Sequence, residues 1–279
     1  MKINAYYNGK FCERNQIAVP LTDRSIFFGD GIYDAAIGRN GKIFMEKEHI
    51  DRFFNNARTL DIPLTVSYAE LSGILRRVAA GISEEAFFVY FQLTRFSSER
   101  THAYPDSNRS NLLVTANPID IKEPHKTLRL IEAEDIRHTM CHIKTLNLIP
   151  SVLAAKTAQT IGADETVFHR AETVTECAHS NIHIIKNGKI ITHPTDNMIL
   201  PGIARAHMIK TAAALSIPLE ERPFSLSELR FADEVLITSS SKLCLRAKSF
   251  MDVQYDTESF DEGTKICIRM REDFDKATE

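Results

Sequence analysis

Short apolar runs punctuated by Asn-Gly pairs organise this chain. Asn-Gly-Lys occurs three times, beginning at Asn8, Asn40 and Asn187. β-prone residues flank the pairs, as in Ile182-His183-Ile184-Ile185 before the third and Ile190-Ile191 after it. Asn-Gly readily takes the positive φ angles of a two-residue turn, so three antiparallel hairpins are predicted. Elsewhere the apolar spacing becomes helical. Ile50, Phe53, Phe54, Ala57 and Leu60 form one stripe, which predicts a helix over 47–60. Ser67-x-x-Glu70 and Ser225-x-x-Glu228 read as capping boxes that open helices at about 68–80 and 226–231. Pro150 suits the first turn of a helix over 150–161, and Pro201-Gly202 precedes another from Ile203 to Leu215. The run Ala86-Phe87-Phe88-Val89-Tyr90-Phe91 reads as a buried strand.

Two prolines and no consistent period mark Asn117-Pro118-Ile119-Asp120-Ile121-Lys122-Glu123-Pro124. A boundary falls there, giving an N-terminal domain over 1–118, a linker over 119–124 and a C-terminal domain over 125–279. Hairpins dominate and clean strand–helix–strand alternation is missing, so the expected class is α+β with mainly antiparallel sheet.

Composition narrows the function classes. Over 279 residues, 43% hydrophobic and 25% charged positions are enough to build a core. The net charge of −3, with no long run of one sign, argues against a dedicated nucleic-acid or membrane-surface binder. No apolar stretch approaches the roughly 18 residues that a span needs. The first eight residues lack the apolar stretch of a signal peptide. Five scattered cysteines without a Cys-x-x-Cys pair imply neither a disulfide framework nor a structural zinc site. No metal site is expected, and the chain reads as cytoplasmic. The common phosphate loops, the zincin motif and the serine-hydrolase elbow are missing from the sequence.

Several residues carry candidate chemistry. In His142-Ile143-Lys144-Thr145-Leu146-Asn147-Leu148, strand alternation places Lys144 with Leu146 and Leu148. A lysine against apolar neighbours becomes a nucleophilic amine. The commoner alternative lays its stem on apolar surface with the head in water. Glu176 lies among small and apolar residues, where a carboxylate needs a cationic or hydrogen-bonding partner. The backbone N–H groups at Ile203 and Ala204 open a helix and suit a phosphate. Thr238-Ser239-Ser240-Ser241 gathers hydroxyls at a strand's end, as an anion site or a polar turn. Arg52 flanks its helix, and Arg100-Thr101-His102 brings two carboxylate donors into one loop.

In this order, the blocks resemble the fold-type IV (class IV) pyridoxal-phosphate aminotransferases, and most closely the bacterial D-amino-acid transaminases. The resemblance runs from about Ala5 to Leu243. It passes through Phe27-Phe28-Gly29-Asp30-Gly31-Ile32-Tyr33, His49-Ile50-Asp51-Arg52, Tyr90-Phe91-Gln92-Leu93-Thr94-Arg95, Asp135-Ile136-Arg137 and Ile143-Lys144-Thr145-Leu146-Asn147-Leu148. Thr175-Glu176, Ser180-Asn181 and Asn197-Met198-Ile199-Leu200-Pro201-Gly202-Ile203 complete it.

That resemblance implies a two-domain fold, an N-terminal antiparallel sheet with helices and a C-terminal β-pseudobarrel with helices, holding pyridoxal 5'-phosphate. Lys144 matches the lysine that binds the cofactor as a Schiff base and moves the Cα proton. Glu176 matches the acid opposite the pyridine nitrogen. Arg52, the N–H groups of Ile203 and Ala204, and the Ser240 hydroxyl match phosphate contacts, and Leu200 matches a residue packed on the ring. Tyr33, Arg100 and His102 match a trap for the substrate's α-carboxylate, a feature of the D-amino-acid enzymes. The implied reaction is a ping-pong amino transfer between a D-amino acid such as D-alanine and a 2-oxo acid such as 2-oxoglutarate. A homodimer is implied as well. Aminodeoxychorismate-type lyase chemistry, branched-chain L-amino-acid transamination and a catalytically altered cofactor-binding relative are the alternatives.

The chain departs from the family pattern in four places. Cys177-Ala178-His179 follows Glu176 where the family favours small and hydroxyl residues. Ala204 replaces a threonine, and His142 stands in place of an acid. After Ser241, Lys242-Leu243-Cys244-Leu245-Arg246-Ala247-Lys248 replaces a Thr-Pro segment. There Lys242 and Arg246 read either as partners for a distal substrate carboxylate or as a solvated basic segment.

Overall fold

In the computed structural model, which describes residues 3–258 and 262–279, each Asn-Gly pair turns a hairpin. The asparagines at 8, 40 and 187 have φ of 42°, 53° and 49°, followed by glycines at 91°, 76° and 70°. Met1 and Lys2 of the leading segment lie outside the described residues. The chain divides into two units, one comprising Met1–Ile121, Ile143–Asn147 and Lys276–Glu279, the other Lys122–His142 and Leu148–Asp275.

In the first unit the elements are β1 (Ala5–Tyr7), β2 (Lys10–Cys12), α1 (Arg24–Phe28), β3 (Gly31–Arg39), β4 (Lys42–Ile43), α2 (Glu46–Thr59), α3 (Tyr68–Ala79), β5 (Ala86–Thr94) and β6 (Asn111–Pro118). The sheet order is β2-β1-β6-β5-β3-β4, antiparallel throughout. The expected helices over 47–60 and 68–80 form as α2 and α3, the latter with the complete Ser67/Glu70 capping box. The strand expected at 86–91 extends to Thr94 and is buried on one face only. Phe87, Val89, Phe91 and Leu93 point into a core shared with Ile50, Phe53, Leu71, Leu75 and Val78. Each such side chain contributes roughly 1.5–3 kcal/mol by leaving water.

In the second unit are β7 (Thr127–Glu134), α4 (Ile149–Thr160), β8 (Glu165–Arg170), β9 (Thr173–Cys177), β10 (Asn181–Lys186), β11 (Lys189–Thr192), α5 (Ile203–Ala214), β12 (Leu219–Glu221), β13 (Phe224–Ser225), α6 (Leu226–Arg230), β14 (Glu234–Ser239), β15 (Leu243–Phe250) and β16 (Val253–Gln254). A final helix, α7 (Glu262–Thr278), closes the chain. The sheet order is β12-β11-β10-β14-β15-β7-β8-β9-β13, with β16 paired to β15. The pairings β11–β12, β15–β7 and β7–β8 are parallel. Antiparallel pairing therefore predominates in both units, as expected, and the second adds the parallel pairs β15–β7 and β7–β8 at the middle of its sheet. There α4 serves as the crossover helix that a parallel β7–β8 pair requires. Its outer face carries Ile149, Val152 and Leu153, so it lacks the polar face that marks such a helix in sequence.

One element differs from expectation near the candidate lysine. Residues 142–148 form no strand. A single bridge, Ile32 to Thr145, ties the segment to β3, and Leu148 is exposed. Thr145 N–H turns back to the Ile143 carbonyl, which breaks the two-residue alternation of a strand.

Candidate active site

Lys144 sits on that irregular segment in the first unit. The Tyr33 N–H donates to the Lys144 carbonyl at 3.0 Å, and the Leu146 N–H donates to the Gly31 carbonyl at 3.1 Å. Backbone pairing with the start of β3 thus fixes the lysine on both sides. Its Nζ lies 4.3 Å from the centre of the Tyr33 ring. The other ring close to Tyr33 is Tyr90, stacked at 5.5 Å between centroids. Among the described residues, Lys144 Nζ has neither a carboxylate partner nor a hydrogen-bond acceptor. A half-buried amine resting on an aromatic face, with no acid to neutralise it, is available for reaction.

Arg52 is fixed from beneath. Asp34, fully buried on β3, accepts Arg52 Nε at 2.8 Å on one oxygen and an Arg52 Nη at 2.8 Å on the other. His49 Nδ1 lies 2.7 Å from Asp34, and the Ala35 N–H donates to the same carboxylate. Burial pushes Asp34 towards protonation, but Arg52 and His49 overcome it and hold its pKa well below the usual carboxylate range. His49 shares one helix face with Arg52, three residues away. Sequence patterning assigns a role to neither His49 nor Asp34.

Glu176 lies next to the end of β9 in the second unit and is 5% exposed. One carboxylate oxygen accepts from the Arg137 guanidinium. The other accepts from Asn181 Nδ2 and from the Leu200 N–H, each at 3.0 Å. Asn181 Nδ2 also donates to the Leu200 carbonyl at 2.9 Å, so Glu176 and Leu200 are locked together through one amide. Arg137 is itself held by Asp135 at 2.8 Å and lies over the Phe168 ring. In the sequence, Arg137 stands in a matching block without a function. The available signal is its two-residue spacing from Asp135, which sets both side chains on one side of extended backbone.

Just beyond Leu200, Gly202 caps α5, and no side chain caps this helix end. Among the described residues, the N–H groups of Ile203 and Ala204 meet no acceptor. A Cβ at residue 202 would lie 2.0 Å from Asn181 Oδ1, so glycine is what lets the helix start approach the Glu176 network. Two free amides at a positive helix end make a donor set for phosphate. Ser240, half-buried, stands in the turn after β14.

The departures after Glu176 and after Ser241 meet in one cluster. Lys242 Nζ donates to Glu165 at 2.9 Å, to His179 Nε2 at 2.8 Å and to the Ser180 hydroxyl at 3.1 Å. Glu165, fully buried, also takes the Ser180 hydroxyl at 2.8 Å and faces His179 Nδ1 at 3.1 Å. Burial opposes the charge on Glu165. The hydrogen bond from His179 and the Lys242 ammonium outweigh burial and bring the carboxyl down to about 2. Arg246 is buried too, with Glu234 at 3.8 Å and the Thr257 carbonyl at 2.7 Å. Both readings offered for this basic segment are thereby corrected. Lys242 and Arg246 are neither solvated nor waiting for a substrate carboxylate, because internal acids already engage them.

Arg100 and His102 stand exposed on the loop after β5, where both lean on Phe28. The Arg100 guanidinium lies 5.3 Å from the ring centre, and the His102 ring is 5.3 Å away. No hydrogen bond or ring contact joins either to Tyr33 among the described residues. The structure gathers two members of the expected trap and leaves the third at Lys144.

These arrangements can be set beside known proteins. A family model described as amino-transferase class IV matches residues 31–250. The chain is 38% identical over 239 residues to a D-alanine aminotransferase of Listeria monocytogenes, covering 84% of this chain and 83% of that protein. The chain belongs to the class IV aminotransferases. A D-alanine aminotransferase of Staphylococcus aureus is 36% identical over 280 residues, 98% of this chain and 97% of that one. Among solved structures, a branched-chain amino acid aminotransferase from T.th., complexed with N-(5'-phosphopyridoxyl)-L-glutamate, superposes with a TM-score of 0.86. It is 20% identical, with 99% of this chain and 94% of that chain covered. As a class IV aminotransferase this chain is a pyridoxal-phosphate-dependent transaminase with the fold-type IV, two-domain α+β architecture. Its uncapped α5 start and its clamped carboxylate match the anionic and cationic ends of that cofactor. Among the described residues, no helix is long and apolar enough to cross a membrane, and no group of acids, histidines and cysteines gathers to hold a metal.

Proposed function

We propose that the enzyme moves an amino group between a D-amino acid, with D-alanine the first choice, and a 2-oxo acid such as 2-oxoglutarate, by a ping-pong mechanism. Lys144 carries this reading, as an amine held in place by backbone pairing and left without an acid partner among the described residues. Bound pyridoxal phosphate supplies the carbonyl that captures the substrate nitrogen and the ring that draws electrons from Cα. Lys144 holds the cofactor between turnovers, then takes the Cα proton and returns it on the other side of the transfer. Glu176 presents a carboxylate, fixed by Arg137, Asn181 and Leu200, to the pyridinium nitrogen. Arg52, the N–H groups of Ile203 and Ala204, and Ser240 hold the phosphate, while Leu200 packs on the ring.

Tyr33, Arg100 and His102 bind the α-carboxylate with charge-assisted hydrogen bonds. Their separation within one chain supports a trap completed in a homodimer. A second copy would also cover the exposed stripe of Ile149, Val152 and Leu153 on α4, which are 70%, 58% and 59% exposed. All five cysteines are free and buried, which supports a cytoplasmic setting. The likeness to two D-alanine aminotransferases and the exposed Arg100–His102 pair support the D-amino-acid assignment. The test is a panel of D- and L-amino acids against 2-oxoglutarate, with Lys144→Ala as control. Turnover of D-alanine that disappears in the control is expected; reaction of L-branched-chain substrates alone would overturn the assignment.

A further inference from the structure

The loop that carries Arg100 and His102 is moored by two buried arginines that share one carboxylate. Arg24, on α1, donates from Nε to Asp30 at 2.7 Å. Its two remaining nitrogens reach the loop, one donating to the Thr101 carbonyl at 2.8 Å and the other to the His102 carbonyl at 3.2 Å. The same guanidinium lies 4.7 Å from the centre of the Phe28 ring, the ring on which Arg100 and His102 lean. Arg95 donates to Asp30 from Nε at 3.0 and 3.1 Å, grips the Leu60 and Asp61 carbonyls, and stacks 3.7 Å from the centre of the Tyr104 ring. Arg24 and Arg95 have side chains only 4% and 7% exposed, whereas Arg100, His102 and Tyr104 are exposed.

The base of this clamp is equally firm. Asp23 caps α1 by accepting the Ser25 N–H at 2.8 Å and also takes the Thr94 hydroxyl and the Asn111 amide. The Arg24 N–H donates to the Phe96 carbonyl at 3.1 Å. A solvent-exposed loop is thus gripped by a buried guanidinium and by backbone pairing at its root, while Arg100 at its tip has no acceptor among the described residues. Ordering a loop costs entropy, and a rigid loop bearing unpaired donors recovers that cost when an anion binds.

We infer that Arg24, seated on Asp30, is a positioning residue that holds the Thr101 and His102 peptide groups so that Arg100 and His102 meet the substrate carboxylate. This rests on the proposal that Arg100 and His102 bind that carboxylate. Arg24 touches neither substrate nor cofactor. Its effect passes through the loop, so the losses from Arg24 and Arg100 overlap, and their effects on KM do not multiply. Lysine at position 24 would keep the charge opposite Asp30 but could not fork to both carbonyls.

Holoenzyme of Arg24→Met, Arg24→Lys, Arg100→Ala and the Arg24→Met/Arg100→Ala pair would be assayed with D-alanine and 2-oxoglutarate. The visible absorbance of the cofactor reports occupancy in each. Arg24→Met is expected to raise the KM for D-alanine about tenfold or more, with kcat falling less and cofactor occupancy unchanged. Arg24→Lys should shift KM in the same direction, and it serves as the folded variant if the methionine chain fails. The double variant should raise KM by clearly less than the product of the two single effects. A KM within about twofold of the parent in both Arg24 variants would overturn the inference, as would effects of Arg24 and Arg100 that multiply. If Arg100→Ala leaves KM unchanged, the carboxylate reading itself fails, and a KM effect of Arg24 would then have to arise elsewhere, which overturns the inference too.

Discussion

Lys242 donates to Glu165 at 2.9 Å, joining a turn after β14 to the first residue of β8. On one side of this contact lies Ser240, a proposed phosphate contact, and on the other the 177–180 turn, which follows Glu176. That turn is closed by the Cys177 N–H donating to the Ser180 carbonyl at 2.7 Å. At this place the chain uses an ion pair and an imidazole, and the two are paired, since His179 and Lys242 bind the same acid.

Removing Lys242 alone leaves a fully buried carboxylate without its cation. Lys242→Met is therefore expected to destabilise the fold by about 3–5 kcal/mol in urea unfolding. Glu165→Gln on top of it should recover much of the loss. Equal stability of the single variant and the parent would show that the pair is not the anchor described.

The Glu176 carboxylate accepts from Arg137, Asn181 and Leu200, and its proposed task is to keep the cofactor ring charged. Glu176→Gln keeps the shape and removes the charge. Turnover should fall by about a hundredfold or more, because this charge acts on electrons that develop only during reaction. Cofactor binding, followed by titration of the visible band, should weaken much less. A turnover within a few-fold of the parent would remove Glu176 from the chemistry.

Gly202→Ala puts a methyl group 2.0 Å from Asn181 Oδ1. The amide must move aside, and its bonds to Glu176 and Leu200 go with it. Crowding of this kind costs about 1–3 kcal/mol. The melting temperature and the affinity for pyridoxal phosphate should both drop. Retention of parental cofactor affinity would contradict the coupling of the α5 start to the Glu176 network.

Acid stability has a separate origin in His183. Its ring is fully buried, with Nδ1 2.7 Å from the Thr192 hydroxyl and Nε2 2.9 Å from that of Thr238. Burial, aided by the Arg205 charge, pushes the imidazole down to about 3. The unfolded chain binds this proton below about pH 6.5, while the folded chain resists it until about pH 3. Stability from His183 is complete above the higher value and is lost as pH falls through that window. Glu165 adds a second loss between its ordinary value and about 2. His183→Gln should flatten the limb between about pH 6.5 and the range where Glu165 begins to titrate; an unchanged slope there would refute this assignment.

Much of the scaffold was legible because it rests on local rules. Asn-Gly turns require positive φ, capping boxes satisfy helix N–H groups, and the stripe through Ile50, Phe53 and Ala57 must face a core. The parallel β7–β8 pair was not legible although Pro150 marks α4, since that helix exposes apolar residues and its pattern does not show which face packs on a sheet. Residues 142–148 misled for a related reason. Ile143 is buried, but Leu148 is outside, and only long-range pairing with Gly31 and Tyr33 fixes Lys144. The named site residues came from ordered blocks along the chain. The roles of Asp34, Arg137 and Arg24 could not be read there, although Arg137 stands in one of those blocks, because they hold other groups, and such partners are separated in sequence by 18, 39 and 77 residues.

Incubation with pyridoxal phosphate, reduction with borohydride and peptide mapping test the central claim most directly. One stoichiometric phosphopyridoxyl adduct on Lys144 is expected, lost in Lys144→Ala. An adduct on a different lysine, or no adduct at all in folded protein, would contradict it.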